Sequence, residues 1–383
     1  MIIHTVKKGE SLYSIAEKYG VSPRVIAENN SLSQPQRLSI GRELLILMPT
    51  KTYTARRGDT VEDICKRFSV RKEDILKNNP SLSAMAKLYP EEMLCIKYPE
   101  RSHGLIFTVG YLYDGCNRER LCEMMRYLSE VALCSAVYER GRVKEIFRAR
   151  AEAEEIKKQK LRLSLRIYPR PPYTDGYFTK ETIAQFINAA KEIGADGIIL
   201  PLKKAVLEKV GVDFIKELDE ALGKENITLT IEVYKNADRE LMKSIKRSIV
   251  CRDTTLEKAM GEEADEFKEY NELYTKITPQ KTMLDLSPFA YLDKEAVPID
   301  TALYECEKKS AEIFSESDDI LNFKLGEKRC LLPSLKYVKA KLDTIAELGF
   351  MGVCIDILRC PRSHIMTLSS LFHICHENAY PDI

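Results

Sequence analysis

A handful of charged side chains in the last two thirds of the chain have the chemistry of proton transfer, or its opposite. Asp196-Gly197-Ile198-Ile199-Leu200-Pro201-Leu202-Lys203 is an apolar run opened by a carboxylate and closed by an ammonium. Glu232 alternates with Leu229 and Ile231, so it points to the other face of its run. Asp285, in Thr282-Met283-Leu284-Asp285, and Asp356, in Val353-Cys354-Ile355-Asp356, hold comparable places, while Asp114 and Asp253 follow apolar runs. Two carboxyl groups facing each other can serve as general acid and general base, an effect of roughly 10²–10⁴-fold. Lys203 has no carboxyl proton to give. It can instead pair with one of these acids and fill the place with ions, because an unpaired buried ammonium is costly. The 11 cysteines are scattered without a C-x-x-C pair, and read as reduced buried thiols. His364, His373 and His376 lack the further ligands a zinc site needs. No metal and no cofactor is expected.

The elements that must position these groups follow from alternation. After a polar joint at residues 98–102, strand-like runs cover 105–111, 131–138, 161–167, 197–202, 227–233, 247–251, 282–287 and 351–357. Amphipathic stretches such as 180–193, 206–222, 263–276 and 335–348 separate them. Eight strands alternating with helices in about 280 residues suit an α/β (β/α)8 barrel. A doubly wound sheet is less suited, since no Gly-rich dinucleotide loop follows the first strand. At the mouth of such a barrel, the stretch 168–173, with Pro169, Pro171 and Pro172, is a stiff turn.

Composition excludes other classes. Lys+Arg number 59 and Asp+Glu 58 in 383 residues, a net charge of +1, so no field for nucleic acid is expected. The mixed charges of 149–160 are a solvated helix face. No apolar run approaches the roughly 20 residues of a membrane span. The first residues, Met1-Ile2-Ile3-His4-Thr5, have no apolar signal region, so export by a signal peptide is not expected.

The first hundred residues repeat. Val6-Lys7-Lys8-Gly9-Glu10-Ser11-Leu12 aligns with Ala55-Arg56-Arg57-Gly58-Asp59-Thr60-Val61. The same offset pairs Ile15 with Ile64, Tyr19 with Phe68, Ile26 with Ile75 and Asn29 with Asn78. Each copy reads as strand, Gly turn, hydroxyl-capped helix, second helix and closing strand, a small α+β (βααβ) unit. The pattern resembles the LysM module. The resemblance implies binding of N-acetylglucosamine polymers, peptidoglycan or chitin, in a groove between two loops. Carried over, the contacts fall on Gly9, Glu10, Ser11, Leu12 and Asn30 in residues 1–49. In residues 50–99 they fall on Gly58, Asp59, Thr60, Val61, Asn79 and Pro80. The Gly and hydroxyl residues have a second reading, as turn and cap alone.

Residues 100–383 are similar to glycoside hydrolase family 18. Thr108-Val109-Gly110-Tyr111, Ala195-Asp196-Gly197-Ile198 and Leu348-Gly349-Phe350-Met351-Gly352-Val353 carry the likeness. Together with the repeats, it points to the LysM-bearing barrels that attack spore cortex peptidoglycan. The resemblance implies synthesis in a mother-cell cytoplasm, deposition on the spore, and coat or cell-wall protein partners. An active member carries D-G-x-D-x-D-x-E, whose last Glu is the general acid. Here Ile199 and Pro201 replace the inner acids and Lys203 the Glu, while the chain has no Trp for the sugar platform. The expected function is glycan binding beside an inactive barrel. The alternative is a cleaving enzyme that uses Glu232, Asp285 or Asp356.

Overall fold

The computed structural model describes residues 1–32, 35–82, 88–144, 150–172, 177–202, 206, 211–234, 245–251, 278–286, 289–293, 295–309, 311–316 and 320–375. In the first module β1 (Ile2–Thr5), α1 (Leu12–Tyr19), α2 (Pro23–Asn29) and β2 (Glu43–Ile46) follow one another, and β1 pairs antiparallel with β2. Ser11 caps α1 in a reciprocal capping box with Ser14, and Gly20 ends it at φ 64°. Leu12, Ile15, Ile26, Leu44 and Ile46 form the module's small core. The second module repeats the plan with β3 (Lys51–Thr54), α3 (Val61–Phe68), α4 (Lys72–Asn78) and β4 (Met93–Lys97). Its capping box joins Thr60 and Asp63.

The next segment runs β5 (Leu105–Leu112), α5 (Arg118–Met125), β6 (Glu130–Glu139), β7 (Arg142–Lys144), α6 (Arg150–Lys158) and β8 (Arg162–Pro169). It continues through α7 (Lys180–Ile193), β9 (Gly197–Leu202), α8 (Val212–Lys224), β10 (Thr228–Tyr234), β11 (Ser248–Cys251) and β12 (Thr282–Asp285). After an insertion, β18 (Gly352–Asp356) pairs with both β12 and β5, and β5 pairs with β6. All eight strands are parallel and the ring closes, giving a (β/α)8 barrel. The strands fall where alternation places them. Of the helix expected over 206–222, α8 covers Val212–Lys224 and residue 206 is helical, while 207–210 lie outside the described residues. The expected helix over 263–276 and Asp253 lie outside the described residues.

The barrel interior is packed rather than open. Phe107, Val109, Tyr111, Ala132, Ile199, Ile249, Met283 and Cys354 form one buried cluster. Glycine is required where strands meet most closely. A Cβ on Gly352 would lie 2.0 Å from the Phe107 carbonyl oxygen.

The insertion was not expected from the sequence. β13 (Ala290–Leu292), β14 (Glu295–Val297), α9 (Ile299–Lys308), β15 (Glu312–Glu316), β16 (Ile320–Leu325) and β17 (Lys328–Pro333) precede α10 (Leu335–Leu348). Their strands form a five-stranded antiparallel sheet in the order β14-β13-β17-β16-β15, with its own core around Phe323, Cys330 and Ile299. By its contacts the chain divides into two compact units. One comprises residues 1–104, 288–343 and 359–373, and the other 105–287, 344–358 and 374–383.

Within the first unit, buried charges tie the first module to the insertion. Arg42 pairs with Glu307 of α9, and both are almost fully buried. Burial pulls the Arg42 guanidinium down to about 10, opposed by the charge of Asp300. Glu43 accepts the Leu335 N–H at 2.6 Å and the Lys336 N–H at 3.3 Å, which sets a carboxylate on the first turn of α10. Arg24 bridges Glu28 to Glu92 of the second module at 2.6 and 2.8 Å. Arg362, on α11 (Arg362–Leu371), donates to the Glu28 carbonyl.

Breaking one side of a buried pair strands the other charge. Arg42→Met or Glu307→Leu alone is expected to cost roughly 3–5 kcal/mol, and the double replacement far less than their sum. Urea unfolding of the three variants measures this, and simple additivity would disprove the coupling.

Candidate functional site

The barrel's charged interior is built around Glu232 and a partner the sequence reading missed. Glu232 stands on β10, 2% exposed. Arg166 of β8 grips it with Nε to Oε2 at 2.7 Å and Nη2 to Oε1 at 2.9 Å. The Tyr111 hydroxyl of β5 donates to Oε2 at 3.2 Å. The guanidinium also lies 5.3 Å from the Tyr111 ring and 5.6 Å from the Tyr168 ring. Burial acts against the Arg166 cation, but Glu232 outweighs it and holds the guanidinium above its ordinary range. An ionised carboxylate held by two N–H donors accepts protons' bonds; it has none to donate.

The neighbours are kept neutral. Burial pushes the Cys134 thiol up to about 12 and raises the Tyr113 hydroxyl well above its usual range. Asp356 is 3% exposed, and its Oδ1 accepts the Leu358 N–H at 2.9 Å, a local turn contact. Asp285 is half-buried on β12, opposite Cys354 in register. Asp114 is exposed beyond β5.

Of the degenerate stretch, Asp196 has a structural task. Its Oδ2 accepts the Leu163 N–H at 2.8 Å and its carbonyl accepts the Thr228 N–H at 3.0 Å. Gly197 sits where a Cβ would be 2.5 Å from Ser164 Oγ. Ile199 and Pro201 are buried in the barrel wall. Lys203 lies outside the described residues, so the ion pairs expected of it lie there too. The pairing described is Arg166 with Glu232. Its signal was the alternation of Arg162, Ser164, Arg166 and Tyr168 opposite Leu163, Leu165 and Ile167. A second charged set occupies the strand beginnings, where Glu130 meets Arg247 at 3.0 Å and Arg162 at 3.5 Å.

In the two small modules the expected contact residues divide. Gly9 and Gly58 turn the chain at φ 85° and 92°, conformations that favour glycine, and both are exposed. Glu10 accepts the Lys7 N–H and meets His4 Nε2, each at 2.8 Å. Burial opposes its charge, but these partners hold its carboxyl below the usual range. Asp59 accepts the Arg56 N–H at 2.8 Å and the Tyr53 hydroxyl at 2.7 Å, which lower its pKa in that order. Ser11 and Thr60 are exposed caps, whereas Leu12 and Val61 are core.

Asn30 and Asn79 are buried, and their side chains serve the fold. Asn30 Nδ2 donates to the Ile26 and Leu45 carbonyls, and its Oδ1 accepts the Leu45 N–H. Asn79 repeats this with Ile75 and Cys95. Pro80 is buried beside it. The surface of the modules instead carries two aromatic rings that the sequence reading did not single out, Tyr13 on the first turn of α1 at 75% exposure and Tyr89 before β4 at 73%.

The LysM domain family model matches residues 4–47 and 53–97. The two N-terminal modules are LysM domains. The chain is 26% identical to an endolysin of Bacillus phage B103 across 99 residues, 24% of this chain and 38% of the endolysin. It is 32% identical to the membrane-bound lytic murein transglycosylase D of Escherichia coli K12 across 104 residues, 24% of this chain and 22% of that protein. The chain thus spans well under half of those relatives. Across 98% of its length it superposes on the spore cortex-lytic enzymes SleL of Bacillus megaterium QM B1551 and Bacillus cereus. The TM-scores are 0.71 and 0.72, at 16% and 17% identity, covering 99% and 98% of those chains. A chitinase of Chromobacterium violaceum ATCC 12472 matches 70% of this chain and 99% of its own, with a TM-score of 0.59 at 13% identity. At such identities the likeness is one of fold.

Two substitutions separate these roles. Asn79→Ala leaves the Cys95 N–H and carbonyl without partners, and is expected to destabilise the second LysM domain by about 2–3 kcal/mol in urea unfolding. An unchanged midpoint would return Asn79 to the list of surface contacts. Arg166→Met leaves Glu232 alone in the barrel and should cost roughly 3–5 kcal/mol. Adding Glu232→Gln should recover much of that loss, and no recovery would mean the pair is not what the arginine holds.

Proposed function

We propose that this chain is a cell-wall glycan-binding protein: its LysM domains hold an N-acetylglucosamine polymer of the peptidoglycan or chitin type, and its barrel does not cleave it. The observation that carries the reading is the buried Arg166–Glu232 pair, set beside Ile199 and Pro201 where an active barrel needs acids. Together with Lys203 at the general-acid place in the sequence, it leaves the strand-four motif with no side chain able to protonate a glycosidic oxygen. The surface-exposed Gly9–Ser11 and Gly58–Thr60 loops, held open by Glu10 and Asp59, support the binding half. The solved neighbours described as spore cortex-lytic enzymes support a place at the spore, with deposition from the mother cell and coat proteins as neighbours.

A second reading keeps catalysis. Asp285 and Asp356 stand on the adjacent strands β12 and β18, and two carboxyl groups roughly 5–9.5 Å apart suffice for glycoside hydrolysis. Purified protein incubated with insoluble cortex peptidoglycan, and in parallel with chitin beads, decides between them. The expected result is co-sedimentation with no reducing ends above the blank. Gly58→Val, which strains the second loop, should weaken retention several-fold. Reducing ends that disappear in Asp285→Asn would establish the enzyme reading, and absence of retention on either polymer would end the binding one.

A further inference from the structure

We propose that Cys306 and Cys330 form a thiol pair built to close into a disulfide, an oxidation site inside the inserted sheet. Cys306 lies on α9 and Cys330 on β17, and both are 0% exposed in one cluster with Ala302, Ala311, Phe323 and Leu332. Cys306 is the neighbour that acts most on the Cys330 thiol, raising its pKa. Other thiols with known partners face oxygen instead: Cys134 meets Tyr113, Cys354 meets Tyr111, and Cys116 donates to the Asn117 carbonyl. A helix and a strand place the two thiols in one apolar core, and a disulfide between them requires their Cα atoms within about 7 Å.

The chemistry balances with a low-molecular-weight disulfide such as oxidised glutathione. One thiolate attacks the glutathione disulfide, releasing one glutathione, and the second thiolate then displaces the other. Two S–H bonds break and one protein S–S bond forms. The two electrons and two protons end in two glutathione thiols. The neighbouring Cys306 thiol, and then burial, raise Cys330 far above the ordinary thiol range, so the folded pair exchanges slowly and closes fastest while the sheet is still assembling.

The location gives the bond a consequence. Its loop carries β15 and β16, so closing it restrains most of the inserted sheet. Cys306 also adjoins Glu307, the buried partner of Arg42 in the first LysM domain. Oxidation therefore fixes the helix on which that domain is mounted, a stiffening set by the surroundings rather than by glycan. The inference stands apart from the glycan-binding reading, and its test involves no glycan.

The full chain is reduced with dithiothreitol and then exposed to oxidised glutathione, once folded and once while refolding from urea. Remaining thiols are alkylated, and the non-reduced digest is mapped by mass spectrometry. The expected product is a linked peptide pair containing Cys306 and Cys330, formed sooner in the refolding arm. It should be absent from Cys330→Ala and from Cys306→Ser. The oxidised chain should unfold in urea roughly tenfold or more slowly than the reduced one, a difference lost in both variants. Recovery of both residues alkylated in both arms, or either one joined to a different cysteine, overturns the proposal.

Discussion

The guanidinium of Arg166 decides what the barrel interior can be. A carboxylate at Glu232, 2% exposed, is tolerable only because two N–H groups and a tyrosine hydroxyl meet it. Once it is so met, the apolar filling around it can close. Ile199, Met283 and Cys354 share one buried cluster with Phe107 and Tyr111 of β5. The charged set at the strand beginnings, Glu130 with Arg247 and Arg162, does the same for the other end. In both sets, among the described residues, arginine and glutamate of the barrel interior meet one another.

The same economy of buried charge shapes the other unit. Arg42 and Glu43 are neighbours on the edge of one LysM domain; Arg42 is directed at Glu307 of the inserted segment and Glu43 at the start of α10, which follows it. A free-standing module would expose both to water at little cost. Here they make the first domain part of a larger body, and Arg24 reaching Glu92 joins the second domain to it. A glycan held by this pair of domains would meet a fixed arrangement instead of two beads on a string.

Much of this was legible in the chain itself. Strand-like apolar runs alternating with amphipathic stretches located the eight barrel strands, several of them buried on both faces, and the fixed offset located both small domains. Glu232 was rightly placed inside, from its alternation with Leu229 and Ile231. Its partner was not found, since an arginine in a strand does not announce which acid, two strands away, it will grip. Asn30 and Asn79 were assigned by likeness to the glycan, although buried amides more often serve a backbone. The inserted sheet was overlooked for a different reason. Ile320-Leu321-Asn322-Phe323-Lys324-Leu325 alternates, and Gly326 turns it at φ 70° into β17. The hairpin signal is present, but two short antiparallel strands do not stand out from the connection that joins successive strands of a barrel. Lys203, on which the catalytic argument from sequence rests, stands outside the described residues.

The pairing of Arg42 with Glu307 has a consequence for how the chain is made. Ribosomes deliver the first LysM domain early, at roughly 5–20 residues per second, so α9 emerges on the order of 15–50 s later. Until then Arg42 has neither its buried partner nor its apolar cover, and that edge of the domain must stay wet. The start of the polypeptide therefore reaches its final state only when a segment near the end arrives, and nascent chains cut short before α9 carry a domain whose mounting surface is still waiting.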